Sequence, residues 1–563
     1  MPRGGHVYPG SCVSFELDFV SMRKAVPDRH PAHTVVDTVA LLFLAAMTLV
    51  AVLTFKDYGL GWDDFTHSQY GNLLLKYFGS DFTDQRVFSF VNLYYYGGGF
   101  DMMAAAIAKI LPVDVFDIRR LLGGAFGIVG LAIVWRTGRR LGGPVAGFAA
   151  MTLLAICPLY YGHMFMNAKD APFAVAMAAL IYSLVRAFDE YPSPSPKTVA
   201  WFGLCLGLTL GTRILGVLAG TYCLAAAVFL MATEARSDGI ASAVKRMARF
   251  ALLLALGLPL AYFVLGAVWP WAVMEPLNPV RALNYYSHFW EVPWSEMFDG
   301  RPVLVPDMPR TYVPTLFAIQ MPELFLGLGL AGAAGAVVAA LFGSEAPSRR
   351  ARLVLVLAAA TVPILVTVIM RPVMYNGIRH FVFVTPAMAL LGGIAAAWIY
   401  QRLREASLVA RGAAVATLIV GFALPVKEFA TLHPYQYTYY NHLVGGVRGA
   451  DENFMLDYWG LAFKQAAAQL DEYVDIHRLS LPQGRKYRVA VCGPHHAAAV
   501  ELGPRFETTY DTVGADFALM LGEFYCANVQ APVIGRVERE GVTYAKVYDV
   551  RGRHFPSVFA GGK

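Results

Sequence analysis

The feature that most constrains this chain is a series of apolar runs of about 17–25 residues, parted by short polar segments. A run of that length crosses roughly 30 Å of hydrocarbon as a helix. A helix also satisfies its own backbone polar groups where no water is available. The runs lie near 35–55, 120–136, 144–161, 171–188, 198–212, 214–232, 249–270, 315–342, 353–370, 381–400 and 410–426. They predict an α-helical polytopic membrane protein with about eleven transmembrane helices. Composition agrees: 57% of the 563 residues are hydrophobic and 15% are charged, against about 25% charged in soluble domains. From about Lys427 onward the composition becomes that of a soluble protein. The chain therefore divides into a tail (1–34), a membrane domain (35–426) and a small α/β domain (427–563). In the last, Leu461–His477 reads as a helix, Tyr487–Cys492 and Ala515–Leu521 as strands, and Val533–Val550 as a hairpin turning near Glu540–Gly541.

The net charge of +6 is carried mainly by basic residues flanking the runs. Arg3, Arg23, Lys24 and Arg29 precede the first. Arg136, Arg139 and Arg140, then Arg236, Lys245, Arg246 and Arg249, then Arg349, Arg350 and Arg352, then Arg402, Arg404 and Arg411 occupy alternate short loops. With eleven helices all of them fall on one face, which the positive-inside rule makes cytoplasmic. This predicts a multi-pass protein of a bacterial inner membrane, embedded among membrane lipids, with a cytoplasmic N-terminus and a periplasmic C-terminal domain. The first run lacks a small-x-small cleavage site and reads as a retained anchor. No basic cluster is interleaved with aromatics, so nucleic acid is not an expected partner.

Of the six cysteines, Cys12 lies in the tail and Cys157, Cys205 and Cys223 lie in apolar runs. Cys492 and Cys526 share the external domain, where a disulfide is favoured by the compartment; two separate buried thiols are the alternative. No spacing of Cys, His or carboxylates, including His67, His163 and His380, matches a zinc site. No cofactor is expected, and a divalent metal is allowed rather than predicted.

Two long external loops, 56–119 and 271–314, mark that face as the place for a site. In the first, Trp62-Asp63-Asp64 sets two carboxylates side by side, suited to general-base work. The plainer alternative is that Asp64 caps a helix starting at Phe65. In Asn167-Ala168-Lys169-Asp170-Ala171-Pro172, Asp170 suits a helix N-cap. Lys169 gains nothing from the positive-inside rule and suits a phosphate. Arg213, Arg371 and Arg379 (in Tyr375-Asn376-Gly377-Ile378-Arg379-His380) complete a set of external cations at the depth of a lipid phosphate; taken singly, each Arg could merely snorkel. Arg310 and Tyr312, in Asp307–Tyr312, suit either an anionic ligand or interfacial anchoring.

In order along the chain, these segments resemble the motifs of glycosyltransferase family 39, within the GT-C superfamily of protein O-mannosyltransferases and aminoarabinose transferases. Trp62-Asp63-Asp64 resembles the family's Asp-Glu signature, with Asp64 in the Glu position. Tyr95–Asp101 resembles its Tyr-Gly segment, Lys169-Asp170-Ala171-Pro172 its Lys-Asp-x-Pro, and Gly211-Thr212-Arg213 its Gly-Thr-Arg. Tyr375–His380 resembles its Asp-Gly-x-Arg-His, with Asn376 replacing Asp. Tyr440-Asn441, Gly445-Gly446 and Asp457–Gly460 resemble a C-terminal pattern of bacterial members.

The resemblance implies an active site at the outer membrane face and an inverting transfer from a polyprenyl-phosphate-linked sugar to a lipid, polysaccharide or protein acceptor. Carried over, Asp63 is the base, while Asp64 and Asp170 orient acceptor or donor. Lys169, Arg213 and Arg379 hold the phosphate; His380 is a further candidate for it, and Tyr96, Arg310, Tyr312 and Tyr375 are the candidate substrate contacts. A transporter or flippase of a lipid-linked sugar is the competing reading. It predicts internal repeats and charges at the bilayer midplane, and the sequence shows neither.

Overall fold

A computed structural model describes residues 34–287 and 294–560. The tail residues Arg3, Cys12, Arg23, Lys24 and Arg29 lie outside the described residues.

Among the described residues nine helices are long and apolar enough to cross a membrane. The first, Val35–Thr54, opens with a reciprocal cap in which Thr34 and Asp37 satisfy each other's backbone N–H groups. The longest, Val115–Ala155, is interrupted at Gly143, whose φ of 87° lies in the left-handed region. The chain turns back there: a Cβ placed on Gly147 would sit 2.6 Å from the Trp135 carbonyl oxygen. Twelve residues along a straight helix would put those atoms roughly 18 Å apart. Glycine takes this conformation without a Cβ clash. The helix Pro196–Thr212, 17 residues long, packs along Leu258–Val268. Nine spans among the described residues thus stand against the eleven expected; the other two expected runs are the part of the long helix beyond Gly143 and the helix Pro196–Thr212.

One expectation needs correction. The run 315–342 is not a single helix but two, Tyr312–Gln320 and Glu323–Phe342. Pro322 separates them, because proline lacks an N–H and disfavours helical geometry at Met321 before it. Only the second is long enough to span.

The basic loops gather at one end of the bundle. Arg139 pairs with Asp37 at 2.8 Å, Arg140 and Arg352 both pair with Asp189, and Arg246 pairs with Glu234 at 3.0 Å. Asp170–Asp189 and Arg379–Leu403 are the most enclosed spans, and Val35–Asp57 and Leu408–Leu432 the least.

At the other end lie the long loops and the α/β domain. The second loop contributes a hairpin, β1 (Ser295–Phe298) paired antiparallel with β2 (Arg301–Leu304). The domain holds β3 (Tyr487–Cys492), β4 (Phe506–Thr509), β5 (Phe517–Leu521), β6 (Val533–Arg539) and β7 (Val542–Asp549) in the order β4-β3-β5-β7-β6. The first three strands are parallel; β7 runs antiparallel to both its neighbours. Alternate apolar residues of these strands face the helix Phe463–Ile476, as the pattern predicts. Cys492 and Cys526 form a disulfide with sulfurs 2.13 Å apart. The domain is tied down on the first loop. Glu501 Oε1 accepts from the Leu60 N–H at 3.0 Å and from Arg120 at 3.3 Å, and His496 stacks on Phe65.

Candidate active site

The site forms where the first external loop meets the starts of two enclosed spans. The helix Asp64–Gly79 begins one residue earlier than the sequence suggests, and Asp63 occupies its N-cap position without making a side-chain cap bond. Its carboxylate turns instead to Lys169, with Nζ 3.0 Å from Oδ2. Asp64 does not cap a helix at Phe65. Its Oδ2 accepts from the Gly61 N–H at 2.8 Å, closing the turn that precedes the helix. Its other oxygen faces Arg119 at 3.8 Å.

Asp170 is also not the N-cap of its helix. Asn167 does that work: its Oδ1 accepts from the backbone N–H groups of Lys169 at 3.0 Å and Asp170 at 2.8 Å. That leaves the Asp170 carboxylate, 1% exposed, free for other partners. One oxygen pairs with Arg213; the other accepts from the Asn167 amide at 2.7 Å and lies 3.7 Å from Arg379. Two ion-paired carboxylates thus face three cations across one cluster.

Aromatic rings line it. Lys169 and Arg213 lie over the Tyr96 ring at 4.8 and 5.6 Å, and Arg379 lies over Trp459 at 4.6 Å and Tyr375 at 5.3 Å. His380 follows Arg379 and meets the edge of Tyr375, with ring centres 5.2 Å apart. Tyr312 approaches through its hydroxyl, which accepts from the Gly377 N–H at 3.0 Å. The structure therefore brings together Asp63, Lys169, Asp170, Arg213, Arg379, His380, Tyr96, Tyr375 and, behind them, Tyr312. Arg310 and Arg371 are used elsewhere. Arg310 donates to the carbonyls of Val368 and Ile369, and Arg371 to that of Met308 at 2.8 Å, which stitches the second loop to the end of Pro347–Met370.

Several residues were given no role in this site from sequence. Asp101 accepts from Arg119 at 2.7 Å and meets His67 Nδ1 at 2.6 Å, forming a buried cluster behind Asp64. Trp459 walls the site, and Tyr458 meets His163 Nε2 at 3.0 Å. Asp457 braces this wall by accepting from the backbone N–H groups of Gly460, Leu461 and Ala462, each at 3.0 Å. The Asp457–Gly460 pattern was visible in the sequence, but its distance from the other motifs hid its place. His67 was weighed only as a metal ligand and Arg119 not at all, because their roles exist only through Asp101.

The two neighbouring acids sit in opposite fields. Burial raises the Asp63 carboxyl, but the charges of Lys169, Arg379 and His67 outweigh it and hold the group well below the usual carboxylate range. Burial raises Asp64 too, and there Arg119 and the Gly61 N–H offset it only in part, so it stays above that range. Burial disfavours a charged Lys169, but Asp63 and Tyr96 overcome it and keep the ammonium protonated. Among the described residues no group of three or more His, Cys, Asp or Glu is placed to hold a metal ion.

A helical membrane bundle thus carries a paired acid–cation cluster at one end, beside a small α/β domain. Residues 99–263 match the family model described as dolichyl-phosphate-mannose-protein mannosyltransferase. This stretch, under a third of the chain, contains Lys169, Asp170 and Arg213 and is similar to the family whose motif order the sequence resembles. No curated protein matches the chain in sequence.

Solved structures similar to the chain include ArnT from Cupriavidus metallidurans bound to undecaprenyl phosphate. That likeness has 13% identity and a TM-score of 0.47, over 93% of this chain and 100% of that one. A second is the archaeal oligosaccharyltransferase AglB from Archaeoglobus fulgidus, in complex with an inhibitory peptide and a dolichol-phosphate: 12% identity, TM-score 0.45, 86% of this chain and 70% of that one. A third is the arabinofuranosyltransferase AftD from Mycobacteria: 14% identity, TM-score 0.41, 93% of this chain but 40% of that one.

Proposed function

We propose that the chain transfers a sugar from a polyprenyl-phosphate donor to an acceptor at the external face of a bacterial inner membrane, with inversion at the anomeric carbon. The observation that carries this reading is the pairing of a partly exposed Asp63 with Lys169, beside the Arg213–Asp170–Arg379 group. It supplies a carboxylate for the acceptor and a surplus cation for a phosphate, as such a transfer requires.

In the proposed step Asp63 takes the proton of the acceptor's O–H or N–H as that atom attacks the anomeric carbon. The bond from that carbon to the phosphate oxygen breaks, and its electron pair leaves on the phosphate. Lys169, Arg213 and Arg379 stabilise the charge developing there, and preorganised cations in a water-poor site do so without reorganisation. A phosphate that engages Lys169 draws the ammonium from Asp63 and so raises the basicity of that carboxylate. Donor binding and base activation are thereby linked through one ion pair. Tyr96 and Trp459 keep the cations oriented. The basic loops at the opposite end of the bundle support placing the site, with the α/β domain above it, on the external side.

The test is turnover of a panel of polyprenyl-phosphate sugars by purified wild type and Asp63→Asn, with a membrane extract as acceptor source. Transfer lost in a well-folded Asp63→Asn protein supports the reading. Transfer that survives moves the base elsewhere. Movement of lipid across the bilayer without transfer favours the flippase.

A further inference from the structure

We propose that Glu296, on the hairpin of the second external loop, is a positioning residue that sets Arg379 by holding the Asn376–Gly377 turn, so that the grip on donor phosphate requires this hairpin to be docked. This rests on the donor reading above.

Asn376 and Gly377 have φ of 55° and 65°. Asn and Gly are the residue types that enter the left-handed region at least cost, so what fixes this turn is the pairing of its amides. Here they are held from one side. Glu296 Oε1 accepts from the Asn376 N–H at 2.5 Å, its Oε2 accepts from the Tyr312 hydroxyl at 3.0 Å, and the Tyr312 oxygen accepts from the Gly377 N–H at 3.0 Å. Two consecutive amides thus end on a single carboxylate–phenol pair. Strand alternation turns Glu296 and Phe298 inward together, and Phe298 packs on Tyr312 at 5.1 Å and Phe454 at 5.8 Å. Arg379 follows two residues after the turn, so the turn's conformation decides whether its guanidinium reaches Asp170 and the faces of Trp459 and Tyr375.

The arrangement suits only an ionised Glu296. An ionised carboxylate accepts and does not donate, and the three groups that meet it, the Asn376 N–H, the Tyr312 hydroxyl and the Trp294 side chain, are donors. A proton on Oε2 would have to point at a phenol oxygen that already receives the Gly377 N–H while its own hydrogen points back. Burial, partly offset by the Asn376 N–H and Tyr312, pushes the Glu296 carboxyl up to about 7. Arg379, Tyr312, Glu523, Tyr440, Tyr458 and Tyr525 are the other charged or titratable groups that act on it. Of these, Glu523 is the second acid close to neutrality, at about 8. The sign follows. Folding favours the protonated form, so this group's contribution to stability falls as pH rises through about 7. The held turn needs the other form, so Arg379 is released as pH falls through the same value.

The experiment is equilibrium binding of a polyprenyl methyl phosphodiester to the full chain in nanodiscs, together with hydrogen exchange at the Asn376 and Gly377 amides. A diester has no proton to lose near neutrality, so any titration belongs to the protein. Wild type is expected to bind about tenfold more weakly one unit below pH 7 than well above it, since only about a tenth of Glu296 is then ionised. Glu296→Gln is expected to bind weakly at both pH values and to exchange both amides faster. Tyr312→Phe, a smaller change, should shift both readouts in the same direction. Glu523→Gln should keep the wild-type pH dependence. The proposal is overturned if Glu296→Gln loosens the amides yet binds like wild type, or keeps the pH dependence. Failure of wild type itself to bind the diester would defeat the donor reading, and that is seen before any variant is made.

Discussion

Asp63 and Asp64 are neighbours in the chain and belong to different machines. Asp63, its side chain 36% exposed, opens toward Lys169 and the cations of the cluster. Asp64 points the other way, into a closed group with Arg119, Asp101 and His67, all under a tenth exposed. Successive residues at the start of a helix project about 100° apart, so a pair of acids there addresses two regions. A lone ion pair open to solvent can exchange partners with a ligand. A closed network of four groups cannot do so without stranding a charge. Adjacent acids in a motif therefore need not share a task.

Four experiments sharpen or break that contrast. The largest effect should come from Asp63→Asn, which is expected to lower transfer about 10²- to 10⁴-fold while leaving the melting temperature near that of wild type. A matching loss of stability would place Asp63 in the structural group. Next, Arg119→Met should destabilise the fold by about 3–5 kcal/mol, because it leaves Asp101 buried without its cation; thermal unfolding in detergent reads this directly. A small change there would show the closed network to be dispensable. Third, Lys169→Gln should weaken donor binding about tenfold. It should also bring in an acid limb in the rate, since the largest charge holding Asp63 down is gone. A pH–rate profile without that limb would separate Asp63 from Lys169. Smallest is Asp64→Asn. The fold raises the Asp64 pKa, so its contribution to stability is complete below its ordinary value of 3.8 and is lost as pH rises through the folded value. The variant should flatten that part of the stability–pH curve and change transfer by less than about tenfold. A larger loss of transfer would move Asp64 into the reacting group.

The legible part of this molecule was whatever depends on local sequence. Apolar runs against a fixed bilayer thickness marked the spans, including the break between 120–136 and 144–161, where the chain turns at Gly143. Period-two alternation gave the strand β3 and the hairpin β6–β7 almost to the residue. The motif residues Asp63, Lys169, Asp170, Arg213 and Arg379 were found as types and do meet in space. Their partners were not legible. Asp170 looked like a helix cap because Asp commonly is one, but Asn167 three residues earlier made the cap and released it. Arg310 and Arg371 looked like ligand cations, yet nearby carbonyls at a helix end bind them.

By itself the sequence determined the apolar runs, the clustering of positive charge in alternate loops and the supply of acids and cations. Each follows from interactions that a segment makes with solvent, lipid or its own backbone. Only the tertiary structure decided which carboxylate meets which cation, that Trp459 from beyond the last span walls the cluster, and that Glu296 reaches the turn before Arg379. Those pairings join residues from tens to about a hundred positions apart. Coulomb and hydrogen-bond energies act over a few ångströms of space, and separation along the chain does not encode that distance.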